Sequence, residues 1–472
     1  MSSSEPEKVS RRGFINVAVG VIVAGVIAGV GGWFVGSTAA PPPKTVTVTE
    51  TAAAVTVTKT APPVTTTVTA PPKTITTTAT VTKTVTATPV APKIITVGAT
   101  VSKSGPWSGD VEPFDRMMHA FAELVNERGG VYVKEYGQRL PIKFVIYDDK
   151  SDVATAAKLY ERLITVDKVD FLIGPYTSAS SLAVGPIVEK YEIPVIWTEA
   201  QSPKVFQQGW KYAHGVLDPS PKSWGGAYFT YIVKPLVEKG ELKTIALIHE
   251  DIVHSWFVNK GAKSFAEELG LEIVLEEKFP VKGTDFTGLM PKIRTANPDL
   301  LHFAACTAAS SAAFIKQAKE FDLRPKEFHV TEPVMGAIEP AGKDADYITG
   351  ESYYAPGAYQ GPCGDEKFLA ELAKRADFDP VKWVWFGIHY PALQAMVATF
   401  EMAESLDPED LIDAINKMKI MTVSGPLYFR EDGSGSLRCV TVQVFNLSYR
   451  LIAPPAVATH KHVFPFVPWG QR

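Results

Sequence analysis

The chain has 472 residues, of which 46% are hydrophobic, so it can form two or three domains with substantial cores. Its net charge is −4, which gives no electrostatic reason to expect nucleic acid as a partner. The three cysteines, Cys306, Cys363 and Cys439, form no CxxC motif. Their number and spacing therefore predict neither a disulfide framework nor a zinc site. A single Cys363–Cys439 bridge and three reduced thiols both remain open.

Residues 1–40 have the pattern of an export or anchoring segment. The stretch Ser10-Arg11-Arg12-Gly13-Phe14-Ile15 resembles the twin-arginine export motif, and an uncharged run to about Gly36 follows it. This run is long enough to cross a hydrocarbon core of about 30 Å as a helix. Ser37-Thr38-Ala39 offers a small-residue cleavage site, so a cleaved signal peptide and a retained anchor are both open. Positive charges before the run favour a cytoplasmic amino end and an external body.

Residues 41–92 consist mainly of Thr, Val, Ala and Pro. The pairs Pro62-Pro63 and Pro71-Pro72 interrupt an alternation of Thr and Val that would otherwise suggest a strand. We therefore expect an extended, O-glycosylated stalk. A long stalk holds a domain away from a membrane, which favours the retained anchor over the cleaved signal peptide.

From Lys93 onward, short apolar runs alternate with amphipathic helices. Residues 142–147, 171–173 and 193–197 read as strands, and each ends in a turn rich in Ser, Thr or Asp. This alternation predicts a parallel sheet covered on both faces. In such sheets ligands bind beyond the carboxyl ends of the strands, so a site is predicted at these turns.

Two further sets of elements follow along the chain. The second set has strands predicted near 244–249, 271–277, 299–304 and 328–331, with helices between them. The third has helices predicted near 365–375, 383–404 and 408–418, followed by strands at 423–429 and 440–447.

Seven short motifs occur in order between Lys93 and about Tyr449. They are Gly98-x5-Ser104-Gly105-Pro106, Val125-Asn126-x2-Gly129-Gly130, Asp148-Asp149-x-Ser151-Asp152, Ile173-Gly174-Pro175-x2-Ser178, Ile193-Pro194-Val195-Ile196, Thr284-Asp285-Phe286 with Asn297-Pro298-Asp299, and Tyr390-Pro391-Ala392. As a series they resemble the leucine/isoleucine/valine-binding branch of the type I periplasmic binding proteins, the solute receptors of ATP-driven importers. The resemblance implies a two-lobed α/β fold, in which each lobe is a parallel sheet flanked by helices and three crossovers join the lobes. It implies a first lobe from 93–215 and 347–430, and a second from 216–346 and 431–472.

The resemblance also implies ligand-binding residues in the first lobe. Ser178 matches the family's carboxylate-binding serine, and a hydroxyl beside backbone N–H groups at a helix start is a natural anion site. The alternative is a plain helix cap. Glu199 and Gln201 match positions where the family presents a backbone carbonyl and a threonine hydroxyl. Glu in place of a small residue and Gln in place of Thr would suit a ligand with an extra amine or amide. The alternative is a solvated loop. Tyr176, in the same turn as Ser178, is a further candidate.

Three more candidates are implied by position. Glu332 follows the strand at 328–331, where the amino-acid-binding branch places the glutamate that pairs with the ligand ammonium. Trp256 is close to the family's lid tyrosine, and Trp107 lies where the family walls the cleft with an aromatic ring. The alternatives are an exposed acid for Glu332 and ordinary edge packing for Trp107.

No pattern for catalysis is present: the sequence has no GxSxG elbow, no HExxH, no Walker loop and no GxGxxG after a strand. We interpret the aspartates of the Asp148–Asp152 motif as caps and His460 with His462 as a lone pair, so neither metal nor cofactor is expected. The prediction is an extracytoplasmic solute-binding receptor of an ABC importer that captures a small amino-acid-like ligand by lobe closure. Its expected partners are the transporter permease and, through the N-terminal segment, the membrane. The alternative is a ligand sensor, or a receptor for an amide- or urea-like solute.

Overall fold

The computed structural model describes residues 64–70, 73–79, 93–331, 334–383 and 385–472. The chain divides into two compact units, residues 1–91 and 92–472. The predicted export segment lies outside the described residues, and so does Glu332. Within the ranges given above, no helix has the length and apolar character needed to cross a membrane.

The first unit contains a β-hairpin formed by β1 (Val64–Ala70) and β2 (Lys73–Ala79). The two strands pair antiparallel along their whole length. The expectation that prolines prevent strands in this stretch was therefore wrong. The two proline pairs lie outside the strands and leave two seven-residue runs rich in β-branched residues, which favour extended structure. The rest of the predicted stalk lies outside the described residues.

The first part of the second unit runs from Lys93 to Leu217. Its elements are β3 (Ile95–Val101), α1 (Ser108–Glu127), β4 (Val131–Val133), β5 (Gln138–Leu140), β6 (Ile142–Asp148), α2 (Val153–Thr165), β7 (Phe171–Ile173), α3 (Ser178–Tyr191), β8 (Val195–Trp197), α4 (Pro203–Phe206) and β9 (Ala213–Leu217). The carboxylate of Asp152 accepts a hydrogen bond from the Thr155 N–H and caps α2, as interpreted from the sequence.

The second part runs to Ser352. Its elements are α5 (Gly226–Tyr228), a π-helical turn (Phe229–Val233), α6 (Lys234–Glu238), β10 (Thr244–Glu250), α7 (Val253–Leu269), β11 (Glu272–Phe279), α8 (Met290–Ala296), β12 (Leu300–Ala304), α9 (Ala308–Glu320), β13 (Glu327–Val330), α10 (Val334–Ala341) and β14 (Thr349–Ser352). The four strands predicted for this set are present close to their predicted bounds.

The last part completes both sheets. Its elements are α11 (Glu366–Ala376), α12 (Phe386–Ala403), α13 (Pro408–Lys417), β15 (Lys419–Thr422), β16 (Gly425–Tyr428), β17 (Ser434–Leu437), β18 (Val440–Phe445) and β19 (Ser448–Ala453). The single strand predicted at 423–429 is instead part of a hairpin in which Thr422 lies opposite Gly425. Gly425 has a φ of 112°, a conformation that a residue with a side chain rarely adopts.

Two sheets define two lobes. The six-stranded sheet of lobe 1 has the order β17-β9-β8-β7-β3-β6 and is parallel throughout. The sheet of lobe 2 has the order β11-β10-β12-β13-β14-β18-β19, in which β18 and β19 are antiparallel to their neighbours. The chain passes between the sheets after β9, after β14 and after β17. The predicted two-lobed α/β fold with three crossovers is confirmed.

Strand pairing moves two of the predicted lobe boundaries. β14 lies in the sheet of lobe 2, although 347–430 was expected to belong to lobe 1. β17 pairs with β9 in lobe 1, although 431–472 was expected to belong to lobe 2. The crossovers therefore follow Ser352 and Leu437. The resemblance supplied approximate bounds, and hydrophobic periodicity could not refine them because it locates a strand without identifying its partner.

The three crossovers meet in one packed cluster, which we call the hinge cluster. Asp218, after β9, is buried, and its Oδ2 accepts hydrogen bonds from Arg438 Nε at 2.6 Å and Arg430 Nη2 at 3.2 Å. The ring of Trp224, in the same crossover, packs edge-on against Tyr353 of the second crossover, with centroids 5.1 Å apart. Arg438 belongs to the third crossover. Each crossover thus contributes a side chain to one cluster.

The C-terminal residues 454–472 pack on lobe 2. Phe466 N–H bonds to the Lys326 carbonyl beside β13, and the Arg472 guanidinium lies 3.8 Å from the ring of Trp469. His462 Nε2 lies 3.1 Å from Glu327 Oε2, within lobe 2. No group of three His, Cys, Asp or Glu residues in the described ranges is arranged to hold a metal ion. All three cysteines are thiols, and the Cys363–Cys439 bridge is not formed.

Lobe 2 buries a histidine–carboxylate pair next to the hinge cluster. His329 Nε2 lies 3.0 Å from Glu351 Oε2, and both side chains are almost completely buried. The ring of Tyr228 stacks on His329 with centroids 3.8 Å apart. Burial raises the pKa of Glu351 well above its usual value and lowers the pKa of His329 to about 3. Burial therefore favours the protonated form of Glu351 and the neutral form of His329 in the folded protein.

This pair is expected to make the fold less stable as the pH rises above about 6.5. In the unfolded chain the usual pKa values are 4.5 for Glu351 and 6.5 for His329. The raised carboxyl pKa gives stability at low pH that is lost as the pH rises, whereas the lowered histidine pKa gives stability that is lost as the pH falls below 6.5. Between pH 4.5 and pH 6.5 these two contributions to the pH dependence of stability oppose each other. Above pH 6.5 the stability that the raised carboxyl pKa provides should fall with pH, by at most about 1.4 kcal/mol of unfolding free energy per pH unit.

Urea unfolding of the parent and of Glu351→Gln at about pH 6.5, 7.5 and 8.5 measures this contribution. The Glu351→Gln variant should not show this loss of stability with rising pH, because the glutamine side chain does not titrate. Glu401→Gln, which removes an exposed carboxylate from α12, is the matched control and should keep the slope of the parent. Equal slopes in the parent and Glu351→Gln would contradict the raised pKa of Glu351.

Candidate functional site

Ser178 joins two neighbouring loops at the carboxyl edge of the lobe 1 sheet. Its hydroxyl accepts hydrogen bonds from the N–H groups of Gln201 at 3.0 Å and Ser202 at 3.1 Å, and donates to the Glu199 carbonyl at 3.3 Å. The cap of α3 is Thr177, whose side chain accepts from the Ser180 N–H. Ser178 is therefore not a plain helix cap. It fixes the loop after β8 against the start of α3.

The loop that Ser178 fixes carries two buried polar side chains. Glu199 and Gln201 are each 8% exposed, so the alternative of a solvated loop is wrong. Gln201 Nε2 donates to the Tyr353 hydroxyl at 3.4 Å, which connects the loop to the hinge cluster. Both side chains therefore lie inside the fold at the carboxyl end of a strand, which is where sheets of this kind bind ligands.

Aromatic rings border this polar loop. Tyr176 is half-buried, and its ring centroid lies 6.2 Å from Trp107, 6.1 Å from Trp385 and 6.1 Å from His389. Trp107 is 40% exposed. The structure thus brings the predicted residues Tyr176 and Trp107 together with Trp385 and His389, which the sequence analysis did not select. The motif Tyr390-Pro391-Ala392 could have located them, because both residues lie within two turns before it on the same helical stretch.

His389 is an electrically neutral neighbour of the site. Its Nδ1 lies 2.9 Å from the Trp385 carbonyl, so Nδ1 carries the proton and donates to that oxygen. Complete burial lowers the pKa of His389 to about 4. Glu199 Oε1 lies 3.9 Å from Nδ1, but at pH 7 the imidazole brings no positive charge to this carboxylate.

The carboxyl edge of lobe 2 is built in a comparable way. Glu250, at the end of β10, is buried, and its carboxylate accepts the N–H groups of Lys282 at 2.6 Å and Cys306 at 2.8 Å. These bonds hold together the loops after β10, β11 and β12. Trp256, on α7, is 52% exposed, and Lys260 Nζ lies 5.3 Å from its ring. Glu332, expected on this edge, lies outside the described residues.

The hinge cluster lies between the two carboxyl edges. On one side Tyr353 accepts the hydrogen bond from Gln201 of lobe 1. On the other side Trp224 packs edge-on against His254 in the first turn of α7, with centroids 4.9 Å apart. The loop holding Glu199 and the helix carrying Trp256 therefore each place one side chain, Gln201 and His254, against this cluster.

Comparison with known proteins decides the family. A family model described as periplasmic binding protein matches residues 94–446. The chain belongs to the periplasmic binding protein family. The family resemblance found in the sequence is thereby confirmed.

Relatives and solved structures agree with this assignment. The leucine-, isoleucine-, valine-, threonine-, and alanine-binding protein of Pseudomonas aeruginosa is 25% identical over 340 residues, which cover 71% of this chain and 86% of that protein. A leucine-binding protein structure from Thermotoga maritima has a TM-score of 0.60 at 22% identity, covering 76% of this chain and 98% of that one. A branched-chain amino acid substrate-binding protein of Streptococcus pneumoniae, in complex with isoleucine, has a TM-score of 0.61 at 19% identity, covering 77% and 100%.

This periplasmic binding protein therefore has the two-lobed fold of its solved neighbours, and its relatives are solute-binding proteins rather than enzymes. The residues gathered at the lobe 1 edge offer hydrogen-bond acceptors, a helix start and aromatic faces. These groups can hold a small polar molecule, and they include no nucleophile activated by a neighbouring base.

Replacing Ser178 with alanine is expected to loosen the loop that carries Glu199 and Gln201. Two backbone N–H groups would lose their acceptor, which corresponds to about 1–3 kcal/mol of unfolding free energy. Urea unfolding measures the loss. Thr295→Ala, which removes an exposed hydroxyl from α8, is the control and should change stability by no more than about 0.5 kcal/mol. Equal stabilities of Ser178→Ala and the control would show that the hydroxyl does not hold the loop.

Proposed function

We propose that the protein is an extracytoplasmic solute-binding receptor of an ABC importer and captures an amino-acid-like ligand by closing its two lobes. The observation that carries this proposal is the arrangement around Ser178, which joins the start of α3 to a loop of buried polar side chains beside aromatic rings. The P. aeruginosa relative is named as binding five amino acids, which supports an amino-acid ligand here.

Each lobe has a separate task in the proposed binding mode. In lobe 1 the ligand carboxylate lies at the start of α3, where backbone N–H groups and the helix dipole favour negative charge. In lobe 2 Glu332 pairs with the ligand ammonium and Trp256 covers it. Closure is stabilised because only the closed state makes both sets of contacts at once.

The N-terminal residues fit the same role. Residues 1–40 would export the protein and then anchor it in the membrane, or be cleaved to release it. Residues 41–92 would keep the lobes away from the membrane surface and within reach of a transporter permease. The alternatives are a ligand sensor using the same lobes and a receptor for an amide- or urea-like or other small polar solute. Reconstituted uptake by a partner permease would separate the sensor from an importer receptor.

The proposal predicts that the full-length protein binds α-amino acids. Isothermal titration with a panel of L-amino acids should give at least one ligand in the micromolar range or tighter, about −8 kcal/mol. The matched amine that lacks the carboxylate, and the matched acid that lacks the ammonium, should each bind much more weakly. The proposal fails if no member of the panel binds.

Removing the predicted ammonium partner should weaken this binding strongly. Breaking one side of a buried ion pair costs about 3–5 kcal/mol, so Glu332→Ala should raise the dissociation constant by roughly a hundredfold to several thousandfold. Ser178→Ala should cost less, since backbone N–H groups still hold the carboxylate. Glu401→Ala removes an exposed carboxylate and should bind like the parent. Binding by Glu332→Ala within about threefold of the parent would remove Glu332 from the site.

A further inference from the structure

We propose that Asn446 is a glycosylation site, at which an oligosaccharide is attached through the side-chain amide nitrogen. The inference rests on the extracytoplasmic location in the proposed function and goes beyond it. The full sequence contains one Asn-x-Ser/Thr motif, Asn446-Leu447-Ser448. In an exported protein this motif is an acceptor of Asn-linked glycans when it lies in a surface loop.

The motif forms the tip of the hairpin between β18 and β19. Phe445 pairs with Ser448 at the end of the hairpin, so Asn446 and Leu447 make up the whole loop. Both loop residues are exposed, and the exposed fraction of Leu447 is 51%. A transferase can therefore reach the Asn446 side chain on the folded protein without opening the hairpin.

The backbone of this loop is unusual for the residues that it contains. The φ angle is 48° at Asn446 and 60° at Leu447, which is the left-handed pattern of a type I′ turn. Such turns favour Asn-Gly, because glycine adopts a positive φ without strain and a bulky residue does not. Asn446 fits this preference, whereas Leu447 places a large apolar side chain in a strained and exposed position. Strained backbone positions cluster at functional sites, and attachment of a glycan to Asn446 supplies such a function here.

The loop is fixed to the rest of lobe 2. The Leu447 N–H donates to Asp346 Oδ1 at 3.2 Å, and the ring of Phe445 packs edge-on against Tyr347 with centroids 5.8 Å apart. Asn446 is thereby presented on a firm support. A sugar on Asn446 would lie next to Leu447 and offer its C–H face to this exposed apolar side chain, which removes apolar area from water.

Strand directions place this loop away from the candidate ligand site. β14 is parallel to β13 and antiparallel to β18, and Ser352, at the carboxyl end of β14, lies opposite Val440, where β18 begins. β18 therefore runs from the carboxyl edge of the lobe 2 sheet towards the amino edge, past the pairing of Gln443 with Thr349. Asn446 follows the end of β18 and lies at the amino edge. A glycan there leaves the carboxyl edge, where the ligand is expected, open.

The modification is the transfer of an oligosaccharide from a lipid carrier. The amide nitrogen of Asn446 forms a bond to the anomeric carbon of the first sugar, and the bond between that carbon and the phosphate oxygen of a polyprenyl-phosphate carrier breaks. The carrier phosphate keeps the electron pair of the broken bond, and the amide loses one proton. The step needs no oxidant or reductant, and a membrane-bound oligosaccharyltransferase outside the cytoplasm supplies the catalysis.

Mass spectrometry of the full-length protein purified from its native host tests this inference. Trypsin releases the peptide Cys439–Arg450, which contains the whole motif. In the parent this peptide should be heavier than its amino-acid sequence by the mass of a whole number of sugar residues. Because the Thr-rich residues 41–92 lie outside this peptide, glycans on those threonines do not contribute to the shift.

Three variants produced in the same host identify the atom that carries the glycan. Asn446→Asp keeps a residue type that tolerates a positive φ but lacks the amide nitrogen, so the mass shift should be lost. Ser448→Ala removes the hydroxyl of the motif and should lose it too, whereas Ser448→Thr keeps the motif and should retain it. A shift that persists in Asn446→Asp and disappears in Ser448→Ala would place the sugar on the Ser448 oxygen and overturn the inference.

The outcomes separate this inference from the proposed function. Protease added to intact cells shows whether the protein is outside the cytoplasm. An unmodified peptide from protein that is outside overturns the inference and leaves the solute receptor standing, whereas protein retained in the cytoplasm overturns both. In isothermal titration with the panel of L-amino acids, Ser448→Ala should bind within about threefold of the parent, and a larger change would contradict the position of the loop away from the ligand. A modified peptide in a protein that binds no amino acid overturns the proposed ligand and supports the glycosylation site.

Discussion

The hydrogen bonds of one hydroxyl hold the candidate site together. Ser178 is the point at which the loop after β8 is attached to the start of α3. Without that attachment, the buried acid and amide of the loop would have no fixed relation to the helix start. The site is therefore made of side chains from one loop and backbone groups from the next, which is how parallel sheets commonly build pockets. The ring positions are secured separately, by α12 packing on the same lobe.

The hinge cluster extends the influence of this loop beyond lobe 1. Gln201 contacts Tyr353, Tyr353 packs on Trp224, and Trp224 packs on His254 of lobe 2. A change at the loop can reach the other lobe through four side chains in direct contact. These four residues are separated along the sequence, and the repeated passage of the chain between the lobes brings them together.

The sequence predicted the fold well because its signals are local. The alternation of apolar runs and amphipathic helices between 142 and 203 is set by neighbouring residues, and the strands β6, β7 and β8 were located there. The lobe assignment of β17 depended on the pairing of Ser434 with the distant Gly215, and that of β14 on its pairing with β13 and β18, which periodicity does not report. Trp385 and Tyr353 were missed for the same reason, since their proximity to Tyr176 and Gln201 is created only by the third dimension. Pro71-Pro72 misled because the pair separates two strands instead of breaking one.

The construction of the hinge cluster has a consequence for the entropy of ligand capture. Three chain segments pass through one packed cluster, and Asp218 binds arginines that follow β16 and β17. Such a joint restricts the relative movement of the lobes to few directions. In the proposed capture by lobe closure, an open state with few orientations would lose little configurational freedom, so more of the contact energy would remain as affinity. The three crossover segments would thereby reduce the free-energy cost of closing the two lobes around a ligand.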